Sequence, residues 1–276
     1  SRRAAFSASA LAAGGSAQAE KPRISEPFTP GDAGAALGSD SRDIIQRLPA
    51  APGATINVPG DYATIQAAID AALTGDIIVV AAGTYDEAIT IDGKDLTITG
   101  AGAGLSIIKG SVLNTTNIVY ITGGAIVDFS GFTVDGTGKS IRYGIYAFTG
   151  TGGDIHDNDV INIAYPGAAG LAIRRSDSYI DVTNNTISGF GRIGIYTRDD
   201  NILNTDTGVI SGNTVTGLGG SDPDRLNYGI SCYSGNPTIS GNHIYDCASG
   251  TNVSAWASAG MDIWNGATPA VTGNDI

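Results

Sequence analysis

Ile155-His-Asp-Asn-Asp-Val160 recurs along the second half of the chain. It returns as Val182-Thr-Asn-Asn-Thr-Ile187, Ile210-Ser-Gly-Asn-Thr-Val215, Ile239-Ser-Gly-Asn-His-Ile244 and Val271-Thr-Gly-Asn-Asp-Ile276. An earlier copy, Phe129-Ser-Gly-Phe-Thr-Val134, carries Phe132 where the others carry Asn158, Asn185, Asn213, Asn242 and Asn274. The steps between these central residues widen from 26 to 32. A second apolar stretch follows each of the first five copies: Gly144-Ile-Tyr146, Gly170-Leu-Ala172, Gly194-Ile-Tyr196, Gly229-Ile-Ser231 and Gly260-Met-Asp262. The loop between the two stretches absorbs the widening. A period of this size, cut into three short strands per turn, predicts an all-β parallel β-helix, or β-solenoid, of about seven coils. One coil cannot bury its own apolar face, so coils stack in parallel register. The recurring Asn falls at one corner, where its amide bonds the next Asn and satisfies turn groups. These five residues are therefore expected to hold the fold rather than a ligand.

Composition agrees. The 276 residues include 40 Gly, and only 15% are charged. Gly with many β-branched residues suits short strands and tight turns, and argues against helical bundles and coiled coils. With 15 Lys and Arg against 27 Asp and Glu, the net charge is −12. Such a surface is a poor partner for nucleic acid. There is no run of 18 apolar residues, so no transmembrane helix is expected.

The first 55 residues read differently. Ser1–Ala19 has an arginine pair, Arg2 and Arg3, a soft Ala/Ser stretch and a small-residue site at Ala17–Ala19. That pattern fits part of a secretory signal of twin-arginine type, hence an exported, cell-surface or periplasmic protein. It fits equally an arm that docks on another subunit. Residues 56–276 form the predicted β-helix. Its last repeat runs to Ile276 without a polar cap, so a further segment or another chain is expected to cover that end.

The β-helix has a marked start. Ile65, Ile69 and Leu73 recur at i, i+4 and i+8 with Gly75 beyond, which predicts an amphipathic helix plugging the first coil. TIQAAIDAA from Thr64, IIVV from Ile77, AGTYDE from Ala82 and LTITGAG from Leu96 follow one another here. Together they resemble the entry segment of right-handed parallel β-helix proteins of the pectate-lyase-like superfamily. The nearest group is the parallel-β-helix repeat proteins related to a periplasmic copper-processing factor. The resemblance covers residues 56–276 and implies the right-handed fold. It implies no single activity, because the superfamily mixes lyases, hydrolases, esterases, adhesins and non-enzymes.

Motifs of those enzymes are incomplete. Gly83, Tyr85 and Glu87 match a GxYxE turn of pectin methylesterases, but their paired catalytic aspartate segments have no counterpart. Asp199 and Asp200 match the acidic pair of polygalacturonases, without the accompanying GHG and RIK. Two His and two Cys in separate contexts give no metal spacing, and the copper-processing likeness brings no copper ligands. No cofactor is expected, calcium being implied only for a lyase.

Strand alternation supplies a candidate face. Counting from each Gly, the inward columns are Ile145, Leu171, Ile195, Ile230, Met261 and then Ala147, Ile173, Thr197, Cys232, Ile263. The outward columns are Tyr146, Ala172, Tyr196, Ser231, Asp262 and then Phe148, Arg174, Arg198, Tyr233, Trp264. Stacked aromatic and guanidinium groups suit a platform for sugars with acidic groups, a protein interface, or a ladder that only stiffens the coil stack. For a catalytic platform, Arg198 would be the base or clamp and Asp199 and Asp200 its acids. Cys232 and Cys247 can form a disulfide or stay as two thiols. Asn114, Asn184 and Asn252 open glycosylation sequons.

Two functions follow. The first is an exported subunit that self-assembles into a filament, sheath or surface layer through the arm and the last coil. The alternative is a polysaccharide lyase, glycoside hydrolase or acidic-glycan-binding β-helix that uses the Arg/aromatic column. The incomplete motifs lean away from an enzyme.

Overall fold

The computed structural model describes residues 53–111, 116–165, 170–199, 207–218, 227–247 and 258–276. Residues 1–52 of the expected arm and positions Asp200, Asn114 and Asn252 lie outside them. Each coil runs through three strands, and equivalent strands stack in parallel into three sheets of nine, seven and seven strands. Sheet 1 includes Gly152–His156, Asp181–Thr183 and Val209–Ser211. Sheet 2 includes Asp159–Ile161, Thr186–Ser188 and Thr214–Thr216. Sheet 3 includes Tyr143–Phe148, Leu171–Ser176, Ile193–Arg198, Tyr228–Cys232 and Ala259–Ile263. The chain is a parallel β-helix.

Branched side chains fill the interior in columns. Ile155, Val182, Ile210 and Ile239 lie in register on sheet 1, and Val160, Ile187, Val215 and Ile244 on sheet 2, all buried. Apolar area leaving water in these columns is the main stabilising term. Between the two sheets runs a continuous chain of asparagine amides, buried from Asn158 to Asn242 and half-buried at Asn274. The backbone N–H and Nδ2 of Asn158 both donate to Asn185 Oδ1 at 3.1 Å. Asn185 donates likewise to Asn213, Asn213 to Asn242, and Asn242 to Asn274. Each Nδ2 also donates to a carbonyl one coil back, such as Ile155 for Asn185. At the head of the chain the Phe132 N–H donates to Asn158 Oδ1, and the Phe132 ring stacks on Phe129 at 4.6 Å.

A helix, Ile65–Ala71, closes the first coil. Its N-terminal N–H groups are satisfied by Thr64 and by the Glu87 carboxylate, which accepts from Ile65 and Gln66 at 2.9 Å each. Lys94 donates to the Ile69 and Asp70 carbonyls at the other end. Acid at the N-terminus and base at the C-terminus both favour the helix. Glu87 of the GxYxE turn is thus a helix cap. The plug consists of Ile65, Ala68, Ile69 and Ala72; Leu73, expected in it, is 74% exposed, because the helix ends before it.

The register of Leu171–Ser176 corrects the expected columns. Leu171 lies opposite Tyr143, and Ile173 opposite Ile145. Gly170 is therefore not the equivalent of Gly144; Ala172 is, and it is buried rather than outward. Arg174 moves into the Tyr146–Tyr196 column, and Ser176 takes the place beside Phe148 and Arg198. Arg175, in line with Ala147 and Thr197, is fully buried, with its guanidinium donating to the Ser178 carbonyl at 3.2 Å. Gly208 makes room for it: a Cβ there would come within 2.6 Å of Arg175 Nη2.

Candidate functional site

The outward side of sheet 3 is hollowed into a cleft of about 720 Å³, within the usual range for ligand sites. Its walls carry Arg142, Arg174, Arg192 and Arg198 together with Tyr143, Tyr196, Tyr228, Tyr233 and Trp264.

Two consecutive inward residues in each strand create the floor. Gly144 faces Val160 and Ile163, and Ile145 after it is also buried. A local break in alternation of this kind turns the preceding residue outward. Tyr143, Leu171, Ile193 and Tyr228 accordingly form a second apolar cluster apart from the interior, with Tyr146 and Tyr196 packed on it. Strict alternation places this column inside, so the sequence reading missed it.

Arg174 organises one end. Its Nη1 donates to the Tyr143 hydroxyl at 2.7 Å and its Nε to Ser176 Oγ at 2.9 Å. Its guanidinium carbon lies 5.2 Å from the Tyr143 ring, 4.8 Å from Tyr146 and 5.8 Å from Tyr196. Burial raises the Tyr146 and Tyr196 phenols above their ordinary value against the pull of these arginines. At the other end Arg198 stacks on Tyr233 at 4.8 Å, and Tyr233 meets Trp264 edge-on at 4.4 Å. Trp264 is 48% exposed, leaving ring surface for a ligand. Burial also raises the Tyr228 phenol, helped by Asp262.

Among the described lining residues Asp262 is the one carboxylate, and it accepts from Ser231 Oγ at 3.3 Å. Of the acidic pair expected beside Arg198, Asp199 does not line the cleft, and Asp200 lies outside the described residues. Asp199 is 4% exposed, with its backbone N–H donating to Ser234 Oγ and its carbonyl accepting from the same hydroxyl. The residue after an outward Arg198 turns into the coil. Hydrolysis by two facing carboxylates thus lacks its second acid among the described lining residues. Phe148 meets the Tyr146 ring at a tilt, 5.6 Å between centroids, but does not line the cleft.

The cleft residues that sequence reasoning passed over are Arg142, Tyr143, Arg192, Tyr228 and Asp262's partnership with Ser231. A signal existed: Arg142-Tyr-Gly-Ile-Tyr146 and Arg192-Ile-Gly-Ile-Tyr196 share an R-x-G-I-Y pattern two coils apart.

The remaining candidates lie elsewhere. Cys232 and Cys247 form no disulfide with each other, each Sγ lying 3.6 Å from a carbonyl two residues away, Ser234 and Tyr245 respectively. Asn184 is exposed, in a left-handed turn. His156, on sheet 1, lies between Asp157 at 2.7 Å and Asp128 at 3.1 Å. No group of three or more His, Cys, Asp or Glu among the described residues is placed to hold a metal ion.

Comparison with known proteins addresses the fold. The chain is similar to a carrot pectin methylesterase at 15% identity and a TM-score of 0.44, over 78% of this chain and 88% of that one. It is similar to a pectin methylesterase in complex with a hexasaccharide at 12% identity and a TM-score of 0.43, over 70% and 79%. No curated protein sequence matches it. Residues 91–276, two thirds of the chain, match the family model described as a right handed beta helix region. Its parallel coils, interior columns and buried asparagine chain accord with that match, and the protein belongs to the right-handed β-helix family.

Proposed function

We propose that the protein binds an acidic polysaccharide in the sheet 3 cleft. One observation carries this reading. The chain has a net charge of −12, and only nine Lys and Arg follow residue 52; four of those nine converge on one cleft. A cationic cleft in an acidic surface concentrates field on an anionic ligand. Guanidinium forks match carboxylates, and exposed Trp264 and the tyrosines offer faces to sugar rings. Arg198 serves as a clamp rather than a base, because a guanidinium keeps its proton. The self-assembly reading rests on the arm and the last coil, whereas the gathering of four arginines in one cleft of an acidic chain favours an anionic ligand.

Titration calorimetry with polygalacturonate tests the proposal. Replacing Arg174 and Arg198 together with Ala should weaken binding at least tenfold with the coil stack intact by circular dichroism. Undiminished binding, or none by the parent protein, overturns it. Ultraviolet absorbance of the same mixtures reads out lyase chemistry, since eliminated uronates absorb.

A further inference from the structure

Building on the acidic-glycan reading, we propose that the cleft is divided: its arginines hold an acidic sugar, and Asp262 with Trp264 holds a sugar that carries no carboxylate. The strand register lays out the two parts. Arg174, Tyr196, Ser231 and Asp262 follow one another in one outward column of sheet 3. Arg198, Tyr233 and Trp264 make the neighbouring column, since the Tyr233 N–H donates to the Thr197 carbonyl and the Trp264 N–H to the Cys232 carbonyl at 3.0 Å each. The four arginines are thus carried by three successive coils, and Asp262 and Trp264 by the second coil beyond. Trp264 stands two coils from Arg198, ~10 Å along the axis.

Charge separates the two parts as well. Arg142 and Arg192 are exposed and Asp262 is half-buried, yet among the described residues none of the three makes an ion pair. Asp262 accepts from Ser231 Oγ at 3.3 Å and keeps further lone pairs for a ligand. Burial raises the Tyr228 phenol, Asp262 raises it further and Arg192 pulls it down, so acid and cation approach one ring without pairing with each other. A carboxylate held this way accepts sugar hydroxyls and repels a uronate, and an unpaired like charge is how a site rejects a competitor. Trp264, 48% exposed and edge-on to Tyr233, supplies a ring face in the same coil. A glycan with a uronate on every sugar brings one carboxylate against Asp262. A glycan that mixes acidic and neutral sugars avoids that contact and still reaches the arginines.

Titration calorimetry of Asp262→Asn with three tetrasaccharides tests this. The hyaluronan tetrasaccharide mixes uronates with neutral sugars, tetragalacturonate has a uronate at every position, and N-acetylchitotetraose has none. The expected result is a change of opposite sign for the two acidic ligands. Losing a charge-assisted acceptor should weaken the hyaluronan tetrasaccharide about fivefold, and losing a repulsion should tighten tetragalacturonate about threefold. A general loss of structure cannot produce both. Trp264→Ala should weaken the hyaluronan tetrasaccharide about fivefold as well. A shift of both acidic ligands in the same direction, or of neither, overturns the assignment of Asp262 and leaves the acidic-glycan reading standing. So does binding of tetragalacturonate alone by the parent protein. Undiminished binding by Trp264→Ala overturns the role of the ring. Binding of neither acidic ligand, or of N-acetylchitotetraose equally, overturns both the division and the acidic-glycan reading.

Discussion

Replacing Asn213 with Ala removes the middle link of the buried amide chain. Asn213 Oδ1 accepts from the Asn185 backbone N–H at 2.9 Å and from Asn185 Nδ2 at 3.0 Å. Its Nδ2 donates to the Val182 carbonyl at 2.8 Å and to Asn242 Oδ1 at 2.9 Å. The four losses are unequal. Asn185 Nδ2 keeps Ile155 and Thr183 as acceptors, and Asn242 Oδ1 keeps the residue 213 backbone N–H. The Asn185 backbone N–H loses its partner in a place without water, since Asn213 is 0% and Asn185 1% exposed. One orphaned buried donor costs roughly 1–3 kcal/mol and sets the scale of the effect. For a domain of this size, that lowers the melting temperature by about 2–12 °C. Thr186→Ala, on an exposed side chain one residue from the chain of amides, is the control. Because coils contact mainly their neighbours, the damage should be local. Hydrogen exchange should accelerate most at the Asn185 amide. A variant that melts with the control, or an Asn185 amide that exchanges as in the parent, refutes the assignment of the ladder to stability.

Three further outcomes follow from the geometry. Burial works against the His156 charge, but hydrogen bonds to Asp157 and Asp128 win and raise its pKa. Its stabilising contribution is complete below the ordinary value of about 6.5 and fades as pH climbs through the raised value. The melting-temperature gap between parent and His156→Gln should therefore be widest below about pH 6.5 and narrow as the pH rises above it, and a gap independent of pH counts against the pairing. Gly170→Ala should destabilise by about 1–3 kcal/mol through its clash with the Ile163 carbonyl, whereas Gly152→Ala, with its nearest neighbour at 3.9 Å, should cost little in chemical denaturation. Burial pushes the Cys247 thiol up to about 11, so alkylation at neutral pH should be slow in the native protein. After denaturation without reductant, mass spectrometry should find both thiols modified.

Much of the fold was legible because a β-helix repeats one local solution. The recurring apolar-x-x-Asn-x-apolar unit encodes two strands and the corner between them. A column of Asn at one corner has few uses other than bonding to itself. The entry helix was legible from its i, i+4 spacing, and its error at Leu73 was one of boundary. Glu87 shows the limit of motif matching: a residue shared with an enzyme signature turned out to cap the helix, a role set by partners more than twenty residues away.

The sequence by itself determined the stacking of coils, the interior columns of sheets 1 and 2 and the amide chain, since each follows from spacing along the chain. It did not determine which residues share the outer face of sheet 3. Sliding Leu171–Ser176 by two residues leaves every side chain on the same side under strict alternation, so the apolar pattern cannot tell one register from the other. Only the tertiary pairing shows it, with Leu171 opposite Tyr143 on one side and Ile193 on the other. In that arrangement Gly144 and Ile145 both face inward, and Tyr143 and its stacked neighbours turn out to line the cleft. Four arginines scattered over fifty-seven residues of an acidic chain thereby become one cationic site, because parallel stacking converts distance along the sequence into a few ångströms between coils.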